Sequence, residues 1–125
     1  MTSNGAAYNS AQFGAALEER AGVAIIRARG EVDIATTPVL SERMREASSS
    51  EAALLVVDLS EVTLVDSTGL GALIEHLGYL REHGGRTELR LVVAEPQVLR
   101  VFSITGLDQI FSIFPSLDDA LALSV

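Results

Sequence analysis

Hydrophobic positions along this chain switch repeatedly between the spacing of extended strands and the spacing of helices. The segments FGAALEER and GVAIIRARGEV flank Ala21 and Gly22 and predict an antiparallel hairpin, because glycine suits a short turn. A helix is predicted to begin at Thr37 and Pro38, since the fixed φ and missing N–H of proline cost nothing in a first turn. The apolar stripe predicted for this helix consists of Val39, Leu40, Met44 and Ala47.

The middle of the chain predicts a central strand followed by a long helix. The segment ALLVVDL has no alternation, which is typical of a strand covered on both faces, so it should be central and parallel to its neighbours. A helix is predicted over residues 67–82, closed by HGG, with apolar residues on one face at Leu70, Leu73, Ile74, Leu77 and Leu80. The segment TELRLVV then predicts another strand, reached by a right-handed crossover.

The last third of the chain predicts two more helices and an edge strand. Pro96 opens a helix whose buried face carries Val98, Leu99 and Phe102. Gly106 occupies the position of a left-handed C-cap, and QIFSIF indicates a short edge strand. Ser116 and Asp119 resemble a capping box before the last helix, LDDALAL.

These elements predict a single α/β domain over residues 13–125, with a mixed, mostly parallel sheet of about 4–5 strands packed against about 4 helices. Residues 1–12 are predicted to form a flexible tail. A chain of 125 residues with 48% hydrophobic content is large enough to bury one continuous core. A monomer is expected, because no long exposed apolar stripe remains once the core is assigned.

Composition narrows the classes of function. The chain has no cysteine, which excludes disulfides and thiol catalysis and favours a cytoplasmic location. It has neither a signal-peptide pattern nor an apolar run near the ~20 residues of a membrane span, so no direct membrane contact is expected. A net charge of −8, with arginine as the only basic residue besides histidine, argues against binding nucleic acid.

The joint between the central strand and the next helix, VDSTG, is the most informative position. Ser67 is a preferred helix N-cap, which would give it a purely structural role. It also lies where functional groups gather in parallel sheets, at the carboxyl end of a strand. The nearby Gly69 and Gly71 are small residues that would let the helix pack closely on the sheet. These residues alone leave both interpretations of Ser67 open.

Enzyme classes fail on the residues that are present. The joint lacks the first glycine of a GxSxG hydrolase elbow, and the glycine spacings of nucleotide-binding loops do not occur. The chain has no lysine to neutralise an acyl phosphate in a receiver-type domain. His76 and His83 lack further metal ligands at coordinating spacing. We therefore predict no catalytic residue, no metal and no cofactor.

Three segments strongly resemble the STAS-domain family, in particular bacterial anti-sigma factor antagonists. They are GEVDIATTP, VVDLSEVTLVDSTGLGAL and ITGLDQIFSIFPSLDDAL. The resemblance covers about residues 13–123, and its specific part is Asp-Leu-Ser, an apolar spacer, and then Asp-Ser-Thr-Gly-Leu-Gly opening a helix. It implies a STAS domain over 13–125 and a binding module rather than an enzyme.

What the resemblance implies can be placed on this sequence. Such proteins capture an anti-sigma factor that is also a serine kinase, and so release a sigma factor for transcription, often in a stress response. The kinase ends the capture by phosphorylating a serine, here Ser67 or, less favoured, Thr68. A serine phosphatase reverses the modification. The residues expected to bind the partner are Asp33, Ile34, Asp66, Ser67, Thr68, Gly69 and Leu70.

The same resemblance leaves two alternatives open, namely a scaffold subunit of a stress-signalling complex and a partner module of a membrane transporter. For phosphorylated Ser67, the sequence predicts that the phosphoryl oxygens meet free N–H groups and a favourable dipole at the start of a helix. The fold should then tolerate the modification, and its effect should be felt at the interface with the partner.

Overall fold

A computed structural model describes residues 13–84 and 87–122 of the chain, so the tail predicted at 1–12 lies outside the described residues. The strands are β1 (Gly14–Arg20), β2 (Val23–Val32), β3 (Leu54–Val65), β4 (Glu88–Val92) and β5 (Ser112–Phe114). The helices are α1 (Thr37–Ser48), α2 (Ser67–Tyr79), α3 (Pro96–Ile104) and α4 (Leu117–Ala122). A π-helical turn at Leu80–Gly84 follows α2, and a 3-10 turn at Leu107–Gln109 follows α3.

The first two strands form the predicted hairpin. They are antiparallel, and Arg20 pairs with Val23 across a two-residue turn. Ala21 and Gly22 have φ values of 52° and 81°. Positive φ at both central residues is the geometry that matches the twist of hairpin strands.

The sheet has the order β1-β2-β3-β4-β5, with β3 in the centre. β3 is parallel to both β2 and β4, and β5 is a parallel edge strand beside β4. These findings confirm the predicted central strand, the edge strand and the mixed, mostly parallel sheet. β3 is longer than the segment ALLVVDL and stays paired with β2 as far as Val65, which lies opposite Val32. The carboxyl ends of β2 and β3 therefore lie side by side.

The core has two parts, one on each face of the sheet. The larger part lies where α1, α2 and α3 contribute Leu40, Leu73 and Phe102 against the sheet. The smaller part lies under α4, where Ala120 packs with Ile25, Leu54, Val56 and Val92. Residues 54–59 are buried without interruption, which explains why this strand shows no alternation.

The prediction of the core is wrong for three residues, Val39, Ile74 and Leu99, which are 41%, 43% and 44% exposed. Each lies next to a buried residue. The apolar stripe on each helix is therefore wider than the part of the helix that is buried against the sheet. The helix predicted to residue 82 ends at Tyr79 and continues as the π-helical turn. Exposed Ile34, Ile104 and Ile110 further weaken the argument that led to a monomer, since apolar surface does remain.

Two predictions about helix ends agree with the structure. Gly106 has a φ of 78° directly after α3, as a left-handed C-cap requires. Ser116 Oγ accepts a hydrogen bond from Asp119 N at 3.1 Å, which is the serine half of the predicted capping box. Within the described ranges, every helix is too short or too polar to cross a bilayer.

Candidate functional site

The N-terminus of α2 is capped by Asp66, so of the two interpretations left open for Ser67, the one that makes it the helix cap is wrong. Asp66 has extended backbone angles, and its Oδ1 accepts hydrogen bonds from Thr68 N at 2.9 Å and from Gly69 N at 3.1 Å. Its carbonyl oxygen accepts from Leu70 N at 3.0 Å. Aspartate and serine are about equally good caps, so the sequence could not decide between adjacent positions.

Ser67 is consequently the first residue of α2, with an exposed side chain. Its hydroxyl makes no hydrogen bond to any residue in the described ranges 13–84 and 87–122. The neighbouring Thr68 is also exposed. A capping serine would hold its oxygen against backbone amides, whereas this hydroxyl is available from solvent.

The same geometry overturns the expectation of free amides for a phosphoryl group. In the first turn of α2, the N–H groups of Thr68 and Gly69 already bond to the Asp66 carboxylate, and that of Leu70 bonds to the Asp66 carbonyl. A phosphoryl group on Ser67 would have to displace a carboxylate to reach them. It would also lie next to that negative charge.

A second aspartate turn follows β2. Asp33 Oδ1 accepts hydrogen bonds from Ala35 N and Thr36 N, both at 3.0 Å. Thr36 Oγ1 donates to the carbonyl oxygen of Glu31 at 2.6 Å and accepts from Asp33 N at 2.9 Å. The side chain of Ile34, between these residues, is 76% exposed. The spacing Asp-x-x-Thr was a usable signal for this turn, which sequence analysis missed.

The two turns are neighbours at one edge of the sheet. Asp66 N donates to Val32 O at 3.0 Å, so the start of one turn is bonded to the residue just before the other. We call the surface formed by Asp33, Ile34, Asp66, Ser67 and Thr68 the carboxyl-edge surface. Residues 30–42 and 59–74 contain five carboxylates and no arginine, so this edge is acidic.

Two residues predicted to bind the partner, Gly69 and Leu70, are buried beneath this surface. A Cβ on Gly69 would lie 2.6 Å from Val32 Cγ1 and 3.1 Å from Val65 Cγ1, so α2 can approach the sheet here only through a glycine. Leu70 is 7% exposed and belongs to the core. Gly71 has open space around it, so its predicted packing role is wrong. We assign Gly69 and Leu70 a supporting role for the surface.

No cluster of three or more His, Asp or Glu side chains that could hold a metal ion occurs in the described part of the chain. The arrangement is instead a single-sheet α/β domain that presents two aspartate-led turns and the exposed hydroxyl groups of Ser67 and Thr68 side by side. A profile of the STAS domain matches residues 15–120, and this chain belongs to the STAS-domain family. The family prediction made from the sequence is confirmed.

Relatives with a known role are similar to this chain over most of its length. The anti-sigma-B factor antagonist of Listeria monocytogenes is 37% identical over 84 residues, which are 67% of this chain and 72% of the relative. The anti-sigma-F factor antagonist RsfB of Mycobacterium tuberculosis is 36% identical over 104 residues, 80% of each chain. The crystal structure of an anti-sigma factor antagonist from Mycobacterium paratuberculosis has a TM-score of 0.81 and 33% identity, covering 88% of this chain and 92% of that chain.

Proposed function

We propose that this chain is an anti-sigma factor antagonist that works in the cytoplasm as a binding protein. Its carboxyl-edge surface binds an anti-sigma factor that is also a serine kinase, and the sigma factor is thereby released. Phosphorylation of Ser67 ends the binding, and a serine phosphatase restores it. The observation that carries this proposal is the exposed Ser67 hydroxyl, which has no hydrogen bond to the described residues while Asp66 caps the helix instead.

Ile34 is the apolar anchor of the proposed interface. Its side chain is 76% exposed although the turn beneath it is fixed by hydrogen bonds from Ala35 and Thr36 to Asp33. A large apolar residue on a rigid turn loses little conformational freedom on binding, and such residues dominate interface energies. The flanking carboxylates of Asp33 and Asp66 favour a partner surface with basic groups, which would speed association.

The modification is a transfer of the γ-phosphoryl group of ATP from the kinase. A bond forms between Ser67 Oγ and the phosphorus, the bond from the phosphorus to the bridging oxygen breaks, and ADP leaves. The hydroxyl proton is released to the solvent or to a base on the kinase. Ser67 is suited as the acceptor because its oxygen gives up no hydrogen bond within the described structure when the kinase approaches.

The switch-off follows from charge at a crowded position. The phosphoryl group adds about 1.5 to 2 negative charges. The amides of Thr68 and Gly69 bond to Asp66, so the new charge finds these two N–H groups occupied and stays hydrated. Stripping that water away in an interface shaped for a small hydroxyl costs several kcal/mol. The fold need not change for the affinity to fall.

This function is favoured over the scaffold and transporter alternatives by the relatives. Two of them, which match 67% and 80% of this chain, are named anti-sigma factor antagonists. The serine at the exposed joint fits a module that is controlled by modification. A scaffold subunit would elute from gel filtration as part of a very large particle. A transporter module would purify as part of a membrane complex.

The test is to incubate the protein with candidate anti-sigma kinases and ATP, and to map the modified residue by mass spectrometry. We expect one phosphate on Ser67, none in Ser67→Ala, and full modification in Ser103→Ala, a matched exposed serine on α3. Modification that persists in Ser67→Ala but disappears in Thr68→Ala would move the acceptor to Thr68. Modification at neither residue would refute the proposed switch.

Calorimetric titration tests the binding surface separately. Ile34→Ala should weaken kinase binding by about tenfold or more, as expected for an interface anchor. Ile104→Ala is the matched control, because Ile104 is also 76% exposed but lies at the far end of α3. Ser67→Ala should bind normally and resist switching off, and Ser67→Asp should bind weakly. Equal affinity of the phosphorylated and unmodified proteins would contradict the mechanism.

A further inference from the structure

A cleft of about 440 Å³ lies between α1 and α2, away from the carboxyl-edge surface. Four of the residues that line it are small, and the other four are large and mostly polar or charged. The lining consists of Ser41, Ser48, Ser49 and Ala72 together with Arg45, Glu75, His76 and Tyr79. The volume falls within the range of about 300 to 1,000 Å³ that is usual for small-molecule sites.

The lining of this α1–α2 cleft contains a partly buried hydrogen bond. Ser48 Oγ lies 2.9 Å from Met44 O and 2.8 Å from His76 Nε2. A carbonyl oxygen only accepts, so the single hydroxyl proton of Ser48 is donated to Met44, and Nε2 of His76 must donate to Ser48. Burial lowers the pKa of His76 below 6.5, and the positive charge of Arg45 lowers it further against the opposing effect of Glu75, so the neutral ring is favoured at pH 7. Its Nδ1 is therefore a hydrogen-bond acceptor.

This Nδ1 acceptor makes no hydrogen bond in the described structure. His76 is only 7% exposed and is one of the residues that line the cleft. Within the described ranges, the single buried side-chain polar atom without a partner is Thr37 Oγ1. Nδ1 has no hydrogen bond either, so it must touch accessible space. Ligands that offer an O–H or N–H group would satisfy it.

The rim of the cleft supplies charge and ring surface. Arg45 is exposed and makes no hydrogen bond or ion pair to the described residues, so its guanidinium is available to a carboxylate. Tyr79 is 47% exposed, and its ring stacks on His76 with centroids 5.8 Å apart and on His83 with centroids 4.6 Å apart. The exposed part of this ring and the methyl group of Ala72 provide apolar surface for the edge of a planar group.

We propose that the α1–α2 cleft binds a small planar carboxylate that carries an O–H or N–H donor at its other end. The carboxylate bonds to Arg45, the planar part packs against Tyr79 and Ala72, and the donor reaches Nδ1 of His76. Both helices begin at the carboxyl-edge surface, so such a ligand would link the ends that carry the two turns. The site exists independently of the proposed function, because none of its residues belongs to that surface.

The test is a two-dimensional NMR titration of the full chain with 4-hydroxybenzoate at about 0.15 M salt, where distant charges are screened. We expect saturable shifts confined to residues 41–49 and 72–79. Two related probes separate the contacts, since benzoate lacks the donor and methyl 4-hydroxybenzoate lacks the charge. Each should bind about tenfold or more weakly, as expected for loss of one hydrogen bond to a buried or charged group.

Two variants complete the test. Arg45→Gln should weaken binding of 4-hydroxybenzoate by about tenfold, while the control Arg100→Gln, an exposed arginine on α3, should leave it unchanged. Ala72→Leu should fill the cleft and abolish binding while the spectrum stays that of a folded protein. The proposal is overturned by three results: no saturable shift, shifts centred on residues 33–37 and 66–68, or binding that Arg45→Gln and Ala72→Leu leave intact.

Discussion

The turn after β2 and the turn after β3 are built on the same plan. In each, the aspartate Oδ1 accepts the N–H groups two and three residues later, and the aspartate carbonyl accepts the N–H group four residues later. In each, the residue directly after the aspartate, Ile34 or Ser67, is exposed. The aspartate thus takes over the capping in both turns, and the following side chain is left for contact with other molecules.

The two turns differ in how their hydroxyl groups are used. The Thr36 hydroxyl is bonded within its own turn, to Glu31 O and Asp33 N, so it stabilises the turn. The Ser67 hydroxyl has no such bond in the described structure. The third position after the aspartate differs as well, since it is Thr36 in the first turn and the buried Gly69 in the second. Similar turns can therefore have a hydroxyl that is structural and one that is free to react.

The largest effect is expected at the glycine of the second turn. Gly69→Ala would place a Cβ 2.6 Å from Val32 Cγ1, and relieving that overlap should lower the free energy of unfolding by about 2 kcal/mol. Urea denaturation measures this. Gly71→Ala is the control, because its Cβ meets open space and alanine is favoured in a helix, so the free energy should rise by about 0.5 to 1 kcal/mol. Equal effects of the two changes would show that α2 does not approach β2 this closely.

A smaller effect should separate the two hydroxyls. Thr36→Val keeps the shape of the side chain and removes its hydrogen bonds, which should cost about 1 kcal/mol of stability. Ser67→Ala removes a hydroxyl that stabilises nothing in the described fold, so stability should stay within about 0.5 kcal/mol of the wild type. The free energy of unfolding from urea denaturation is again the measurement. A loss of similar size in Ser67→Ala would mean that its hydroxyl is bonded in solution.

The sequence was sufficient for the sheet and for the location of the joint, but it could not show which hydroxyl is free. The unbroken apolar run in β3 and the Ala21–Gly22 turn depend on neighbouring residues, and both predictions are confirmed. The choice between Asp66 and Ser67 as the cap depends on a backbone angle at one residue, which composition does not determine. The hydrogen bond between His76 and Ser48 could not be predicted either, because the two residues are 28 positions apart in the chain.

The smallest effect concerns the packing of α1 against α2, the two helices that follow the turns. His76 joins these helices through Ser48, and its pKa lies below the ordinary 6.5, chiefly because it is buried and also because Arg45 is near. At pH values between the pKa of His76 in the folded protein and the ordinary 6.5 of the unfolded chain, the unfolded chain binds more protons than the folded protein does. The free energy of unfolding should therefore fall as pH drops below about 6.5. The fall should stop once pH is below the pKa of His76 in the folded state.

The variant His76→Gln tests this, because it keeps a donor for Ser48 but cannot titrate. Urea denaturation from pH 7.5 to 5.5, measured at about 0.5-unit steps, should show that its free energy of unfolding depends less on pH than that of the wild type. Identical slopes would mean that His76 is protonated as easily in the folded protein as in the unfolded chain, and that the helices do not bury it.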